Sequence, residues 1–595
     1  MALLHPNRKI CFFIISRMFF FLVTLVFILF SNVISAQGFL KVSGKSIVTA
    51  KGENVLLRGI GLGGWMLQEG YMLRVNRDGR QFKIRERIDS LVGPQKTREF
   101  YDAWLNNHTT KADIDSLKSW GFNSVRLPMH YNLFTLPVDE EKIAGDNTWL
   151  NKGFQLTDSL LSWCRSNSIY LILDLHAAPG GQGNDLNISD RDDSKPSLWD
   201  SEANRQKTIA LWKKLAAHYV NEPFIGGYDI INEPNWGFED KVNDKNGTKE
   251  QHNEPLRKLM VDITAAIREV DTNHIIIIEG NGWGNNYNGI FPPWDKNMVL
   301  SFHKYWNYNN TASIQKMLDA RNTYNIPVWI GETGENSNVW YAEAIHLMEV
   351  NNIGWAWWPL KKIGNNNPFE VKINEGYQKM ISYFNGRGSK PAAAEACNGL
   401  MQMAAGLKTN AVVFHKDVID AMFRQPFSND AIPYMANEII DNAVINATGY
   451  DLGRNGIAYF DNDTADYHVS TGTRTSGNRG GVYRNDGVDI SKDSVTGNYY
   501  VSHIEKGEWL QYTVNVKRAG KYNLQMQVSG EQAAKISFSN NGNVIATMDL
   551  PSTGSNKNWS SIQTTPIAFA KGKQVIRLYA TAGNFNLQSI QFILR

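Results

Sequence analysis

Short apolar runs that end abruptly in polar residues recur through positions 41–427. Phe224-Ile225-Gly226-Gly227-Tyr228-Asp229-Ile230-Ile231 reads as a buried strand halted at Asn232-Glu233-Pro234, since proline cannot donate to a strand ladder. Pro327-Val328-Trp329-Ile330-Gly331-Glu332-Thr333-Gly334 repeats the design and leaves a second glutamate at a strand end. The same pattern predicts strands at 55–61, 124–127, 170–175, 225–232, 275–279, 298–303, 328–332 and 353–358. They are mostly apolar on both faces, as parallel strands covered on both sides must be. Between them the period becomes helical. Over 255–270, Leu256, Leu259, Met260, Ile263, Ile267 and Val270 form one stripe behind Pro255, a residue suited to a first turn. Strands alternating with helices in this way predict a (β/α)8 TIM barrel, in which catalytic groups come from the C-terminal strand ends. A doubly wound sheet is the alternative, but no Gly-x-Gly-x-x-Gly turn follows the first strand in the required context, between that strand and a helix it opens.

From about 434 the alternation shortens to period two, with strands at 509–516, 522–528, 562–570, 575–580 and 587–594 between Gly-, Asn-, Ser- and Lys-rich turns. That texture predicts an all-β jelly-roll sandwich. The segment 386–428 reads as helices closing the barrel. At the N-terminus, Arg8, Lys9 and Arg17 precede an apolar block at 18–30 and Val33-Ile34-Ser35-Ala36, the order of a secretory signal. The block is shorter than the roughly 20 residues a bilayer needs. The expected organisation is multidomain: signal peptide 1–36, barrel 37–430, β-sandwich 434–595, in a secreted protein.

Composition changes this picture little. A length of 595 residues suits several domains, and 42% hydrophobic with 20% charged residues is ordinary for a soluble protein. A net charge of +3 calls for neither nucleic acid nor an anionic membrane as partner. The 18 Trp, 23 Tyr and 27 Phe offer faces suited to sugar rings. Of the three cysteines, Cys11 leaves with the signal, and Cys164 and Cys397 read as buried thiols, not a disulfide or metal site.

The strand ends carry the candidate chemistry. In chain order they give Gly61-Leu62-Gly63-Gly64-Trp65, Arg126, Asp174-Leu175-His176, Asn232-Glu233, His303 with Tyr305, Glu332, and Trp355-Ala356-Trp357-Trp358. Taken alone, Asn232 is a helix cap and Glu233 a first-turn residue, and either histidine is a core residue. Together they are the parts of a retaining glycosidase. One carboxyl protonates the leaving oxygen and the other, roughly 5–5.5 Å away, attacks the anomeric carbon. A guanidinium and a tyrosine hydroxyl suit the group that must stay ionised.

On these residues the chain resembles glycoside hydrolase family 5 over 41–383. The resemblance implies Glu233 as acid/base and Glu332 as nucleophile, with Asn232 on the sugar 2-hydroxyl. It implies Arg126 and Tyr305 around Glu332, His176 and His303 in the subsite of the cleaved sugar, and Trp358 as its platform, with Trp357 the alternative. Glu279 and Glu335 are rival carboxylates, read as structural. Trp65, Trp236, Trp283 and Trp306 are candidate platforms. The loop after the third strand is similar to that of exo-acting β-1,3-glucanases, and its Asp190, Asp192 and Asp193 read as a solvated run.

Tyr450-Asp451-Leu452-Gly453, Gly456 to Asp461, Gly487-Val488-Asp489-Ile490, Ile504 to Tyr512 and Asn584-Phe585-Asn586-Leu587 resemble a family 6 carbohydrate-binding module. The acidic pair implied for structural calcium falls on Asn446 and Thr448, and a stacking aromatic on His503. Asn586 matches a sugar-binding asparagine, Trp559 or Phe585 is the candidate aromatic face, and Trp509 is expected in the core. The expected protein is a monomeric β-glucan hydrolase needing no cofactor or metal. The alternatives are a mannanase or xylanase of the same fold, or a catalytically silent carbohydrate-binding protein.

Overall fold

A computed structural model describes residues 38–595 apart from 464, 466, 469–472 and 475–476, so the expected signal peptide lies outside the described residues. Eight parallel strands close into a barrel: β1 (Arg58–Gly61), β2 (Ser124–His130), β3 (Tyr170–Ala177), β4 (Ile225–Asp229), β5 (Ile276–Glu279), β6 (Met298–Lys304), β7 (Val328–Gly334) and β8 (Gly354–Trp358). Closure is direct, Trp355 and Trp357 of β8 lying opposite Arg58 and Ile60 of β1. Alternation sorts the side chains. Val125 and Leu127 face the helical ring, whereas Ile172, Ile277, Val299 and Trp329 join Leu40 and Ile47 in a separate cluster that fills the barrel.

The covering helices are α1 (Lys111–Trp120), α2 (Asn151–Ser166), α3 (Glu202–Tyr219), α4 (Glu254–Arg268), α5 (Gln315–Tyr324), α6 (Asn338–Val350) and α7 (Lys416–Phe423). Their starts are chemically marked. Thr110 and Asp113 form a capping box on α1, and Ser201 and Ser337 accept from backbone N–H groups of α3 and α6. One strand lacks the helix expected of it. After β5 a single turn, Asn281–Gly284, leads into an irregular segment, because Gly282, Gly284 and Gly289 have positive φ and Pro292 and Pro293 forbid continuation. β4 also ends early. Ile230 and Asn232 still donate to Ile277 and Leu175 carbonyls, which carries the chain on past the strand to Asn232 and Glu233.

The second domain packs two mostly antiparallel sheets. One runs Asn437–Ile439, Trp509–Val516, Gly572–Ala582, Ala534–Asn540, Asn543–Leu550, and the other Ile490–Lys492, Tyr499–Glu505, Asn584–Leu594, Gly520–Gly530, Ser555–Gln563. Their inner faces share Tyr512, Val514, Phe538, Leu578, Leu524, Met526 and Phe592. Trp509 is buried beneath Arg577, 4.2 Å from the ring centre. Cys164 is buried, Cys397 half-buried, and both are free thiols. Among the described residues no helix is long and apolar enough to cross a membrane.

Candidate active site

Arg126 of β2 is fully buried in the barrel mouth. Its Nε donates to Asp229 Oδ2 (2.9 Å), Nη1 to Glu332 Oε1 (2.5 Å), and Nη2 to Asn232 Oδ1 (2.8 Å) and Glu279 Oε1 (3.0 Å). Asp174 Oδ2 stands 3.2 Å from Nη1. Desolvating an ion costs several kcal/mol, and a guanidinium offsets this only when its donors are all met, as here. One cation cannot neutralise four buried carboxylates. Burial pushes Asp229 well above the ordinary carboxylate range, and Glu279 and Asp174 reinforce this against the pull of Arg126.

Glu332 of β7 receives a second donor, the Tyr305 hydroxyl at 3.3 Å from Oε2. Burial, followed by the charge of Glu332, holds Tyr305 well above its usual pKa and keeps it a donor. Gly331 has to be glycine, since a Cβ there would lie 2.3 Å from Ser301 Oγ.

Glu233 has a different setting. Its backbone is left-handed at φ 44°, and its N–H donates to Glu279 Oε2 at 2.8 Å. Oε1 lies 2.6 Å from His303 Nδ1, while His303 Nε2 is 3.2 Å from Glu279 Oε1. Burial raises the Glu233 pKa and the Glu332 and Glu279 charges add to it, opposed by His303. Burial would neutralise His303, but Glu279, Glu332 and Glu233 outweigh it and keep the ring protonated. Carboxylate oxygens of Glu233 and Glu332 lie within 4.8 Å of each other. The ligand-type atoms of Asp174, His176 and Glu332 gather as closely, and there Arg126 is the counter-charge.

His176 links this centre to an aromatic wall. Its Nδ1 meets Asp174 (2.8 Å), its Nε2 faces Asn232 Nδ2 (3.3 Å), and its ring stacks on Trp358 with centroids 5.3 Å apart and planes 3° from parallel. Trp358 Nε1 donates to Tyr71 at 2.9 Å. Gly61 and Gly63 lie under the indole, where Cβ atoms would come within 2.5 and 2.6 Å of it. Trp357 is buried against Tyr341, so Trp358 is the residue that lines the cavity.

The cavity holds about 830 Å³ and is lined by Glu69, Tyr71, His176, Glu233, His303, Tyr305, Glu332, Glu335 and Trp358. Of the predicted platforms Trp283 and Trp306 line it. Trp65 and Trp236 do not: Trp65 is buried with its N–H on the Leu105 carbonyl, and Trp236 is buried beneath Arg191. Glu279 is the structural carboxylate of the centre, and Glu335 pairs with Lys362. The acidic run is taken up by His130 on Asp190, Ser194 on Asp192 and Arg80 on Asp193.

Glu69, Tyr71 and Asp229 escaped the sequence reading. Asp229 had a signal, a charge inside an apolar strand. Glu69 had a weaker one, a carboxylate that follows Gln68 after the apolar Trp65-Met66-Leu67; burial and the charges of Glu332, Glu335, Glu233 and Asp185 push it well up.

In the second domain Phe585 corrects an expectation. It is 2% exposed and packs in the sandwich core, so it offers no open face. Asn586 is buried too, its Oδ1 accepting from His503 N and its Nδ2 donating to Ser529 and Asn556. Trp559 is half-buried, edge-on to Tyr500.

Residues 78–364 match the model of cellulase (glycosyl hydrolase family 5), and 482–593 that of carbohydrate binding module (family 6). A β-xylosidase of Phanerodontia chrysosporium is 27% identical over 58% of this chain and 76% of its own length. Endoglucanase C of Acetivibrio thermocellus is 26% identical over 35% of this chain and 52% of its own, so the chain spans about half of that relative. A glucan 1,3-β-glucosidase of Candida oleophila is 26% identical over 47% and 63%. The barrel is a glycosyl hydrolase family 5 domain, the sandwich a family 6 carbohydrate-binding module, and the chain a glycoside hydrolase.

Proposed function

We propose that the chain is an exported retaining β-glycosidase acting on a β-1,4- or β-1,3-linked glucan, with Glu332 as nucleophile, Glu233 as acid/base, signal 1–36, barrel 37–430 and module 434–595. One spacing carries the reading. Carboxylate oxygens within 4.8 Å suit a nucleophile and an acid on one bond, whereas inversion needs roughly 6.5–9.5 Å to admit a water. Glu332, oriented by Arg126 and Tyr305, attacks the anomeric carbon while the Glu233 proton passes to the departing oxygen. Asn232, anchored by Arg126, faces the sugar 2-hydroxyl, and His176 and Trp358 wall its subsite.

The two settings then exchange roles. The Glu332 charge helps hold the proton on Glu233. Esterification removes that charge, so Glu233 acidifies and becomes the base that deprotonates the incoming water. Water attack releases the sugar with its original anomeric configuration and restores Glu332.

Two of the relatives named above are glucan-active by name, which supports a glucan; the β-xylosidase supports a β-xyloside as the second reading. The test is hydrolysis of β-1,3-, β-1,4- and mixed-linkage glucans, mannan and xylan, with the product anomer read by proton NMR. Glu332→Gln is expected to abolish release. Glu233→Gln is expected to cost about 10²–10⁴-fold on glucan, and far less in the first step on a dinitrophenyl glycoside, whose leaving group needs no proton. An inverted product, or full activity of Glu332→Gln, defeats the proposal.

A further inference from the structure

Tyr71 and Glu335 belong to two cavities at once. On one side they line the catalytic pocket, and on the other a groove of about 600 Å³ running between the barrel loops after β1, β7 and β8 and module residues 478–486. The module is fixed there. Asn485 N–H donates to Asp417 Oδ2 (2.9 Å), its Nδ2 to the Asn336 carbonyl (2.8 Å), and its carbonyl accepts from Asn338 N (2.7 Å). Asn365 Nδ2 reaches the Arg484 carbonyl at 3.0 Å, and Ser337 donates to the Ala465 carbonyl.

The groove's chemistry is neutral and polar. Asn76, Asn336, Asn365, Asn366, Asn478 and Asn485 line it. Its charges are largely spent on one another, Lys362 on Glu335 and Arg484 on Asp486. Asn336 is only 7% exposed, and its Nδ2 is buried with no hydrogen-bond partner among the described residues. An amide gives and takes hydrogen bonds at once, as a sugar hydroxyl does, so such a lining matches a neutral polyhydroxylated chain better than an ionic ligand. The Tyr71 ring, hydrogen-bonded to Trp358, lines both cavities, so the groove begins where the catalytic pocket ends.

We propose that this groove is a distal subsite for the same glucan chain that enters the catalytic pocket, and that the module forms one of its walls. The inference rests on the glucan reading above and adds that the module works as part of the cleft.

The full chain carrying Glu332→Gln, so that ligand stays intact, is titrated calorimetrically with cello- and laminari-oligosaccharides from disaccharide to hexasaccharide. The readout is the affinity ratio of hexasaccharide to disaccharide. Arg74 and Asn366 line the groove from the barrel side, and Arg74→Ala with Asn366→Ala is expected to lower it about tenfold. Gly481→His on the module wall is expected to do the same. A Cβ there meets nothing within 4 Å, and although φ of 60° strains any side chain, histidine is among those that enter this region most readily, so the variant narrows the groove at a backbone cost. Binding with the parent ratio in both variants overturns the subsite and leaves the glucan reading standing. Absence of binding at every length in both series overturns the two together.

Discussion

His303 shows how one side chain sets the state of another. It sits between Glu233 and Glu279, and its positive charge lowers a Glu233 pKa that burial and neighbouring carboxylates raise. The alkaline limb of kcat/KM reports loss of the proton from the acid. His303→Asn removes the opposing charge, so Glu233 holds its proton longer, and the limb is expected to move to higher pH while kcat falls. A pH–rate profile checks this, and a limb moving to lower pH contradicts it. At this scale the sequence was partly legible. Glu233, Glu332 and Arg126 stood at strand ends, where position alone pointed to chemistry. Asp174 and Asp229 had no assigned role, because a carboxylate whose work is to surround a buried guanidinium has no spacing of its own, only the oddity of a charge in an apolar strand.

The strands were legible for the opposite reason. A parallel strand covered on both faces is a continuous apolar run, and each run marked its own end with a polar residue or a proline. The stretch after β5 was not, since its Gly- and Asn-rich turns replace a helix that barrel regularity leads one to expect. The Gly61–Gly64 stretch has a positional meaning visible only in three dimensions: it lets the last strand's indole lie over the first strand's end. Gly63→Ala puts a methyl into the Trp358 ring, an overpacking that costs about 1–3 kcal/mol. The expected outcome is a tilted platform, with KM rising more than kcat falls and a lower melting temperature, measured by steady-state kinetics and calorimetry.

At the scale of the whole molecule, one domain carries a buried carboxyl that ties its stability to pH. In the module, burial and the nearby charge of Glu508, with Asp489 and Asp463 adding to it, push Asp461 up to about 9. The folded module therefore holds a proton that the unfolded chain releases in the ordinary carboxylate range, and stability is lost as pH rises through the window up to about 9. Asp461→Asn keeps the shape without the proton. Its module transition in scanning calorimetry is expected to fall less between neutral pH and pH 9 than that of the parent chain, and an equal fall contradicts the assignment.

Asn485 also bears on modularity. Binding modules are treated as cassettes, cut at a sequence boundary and moved to another enzyme. Here the boundary in sequence is not the boundary in hydrogen bonds: a cut near 430 strands the Asp417 carboxylate and the Asn336 carbonyl on one fragment and Asn485 on the other. A transplant that keeps the native orientation has to carry the 336–338 turn and the start of α7 with the module, and a graft without them becomes a tether.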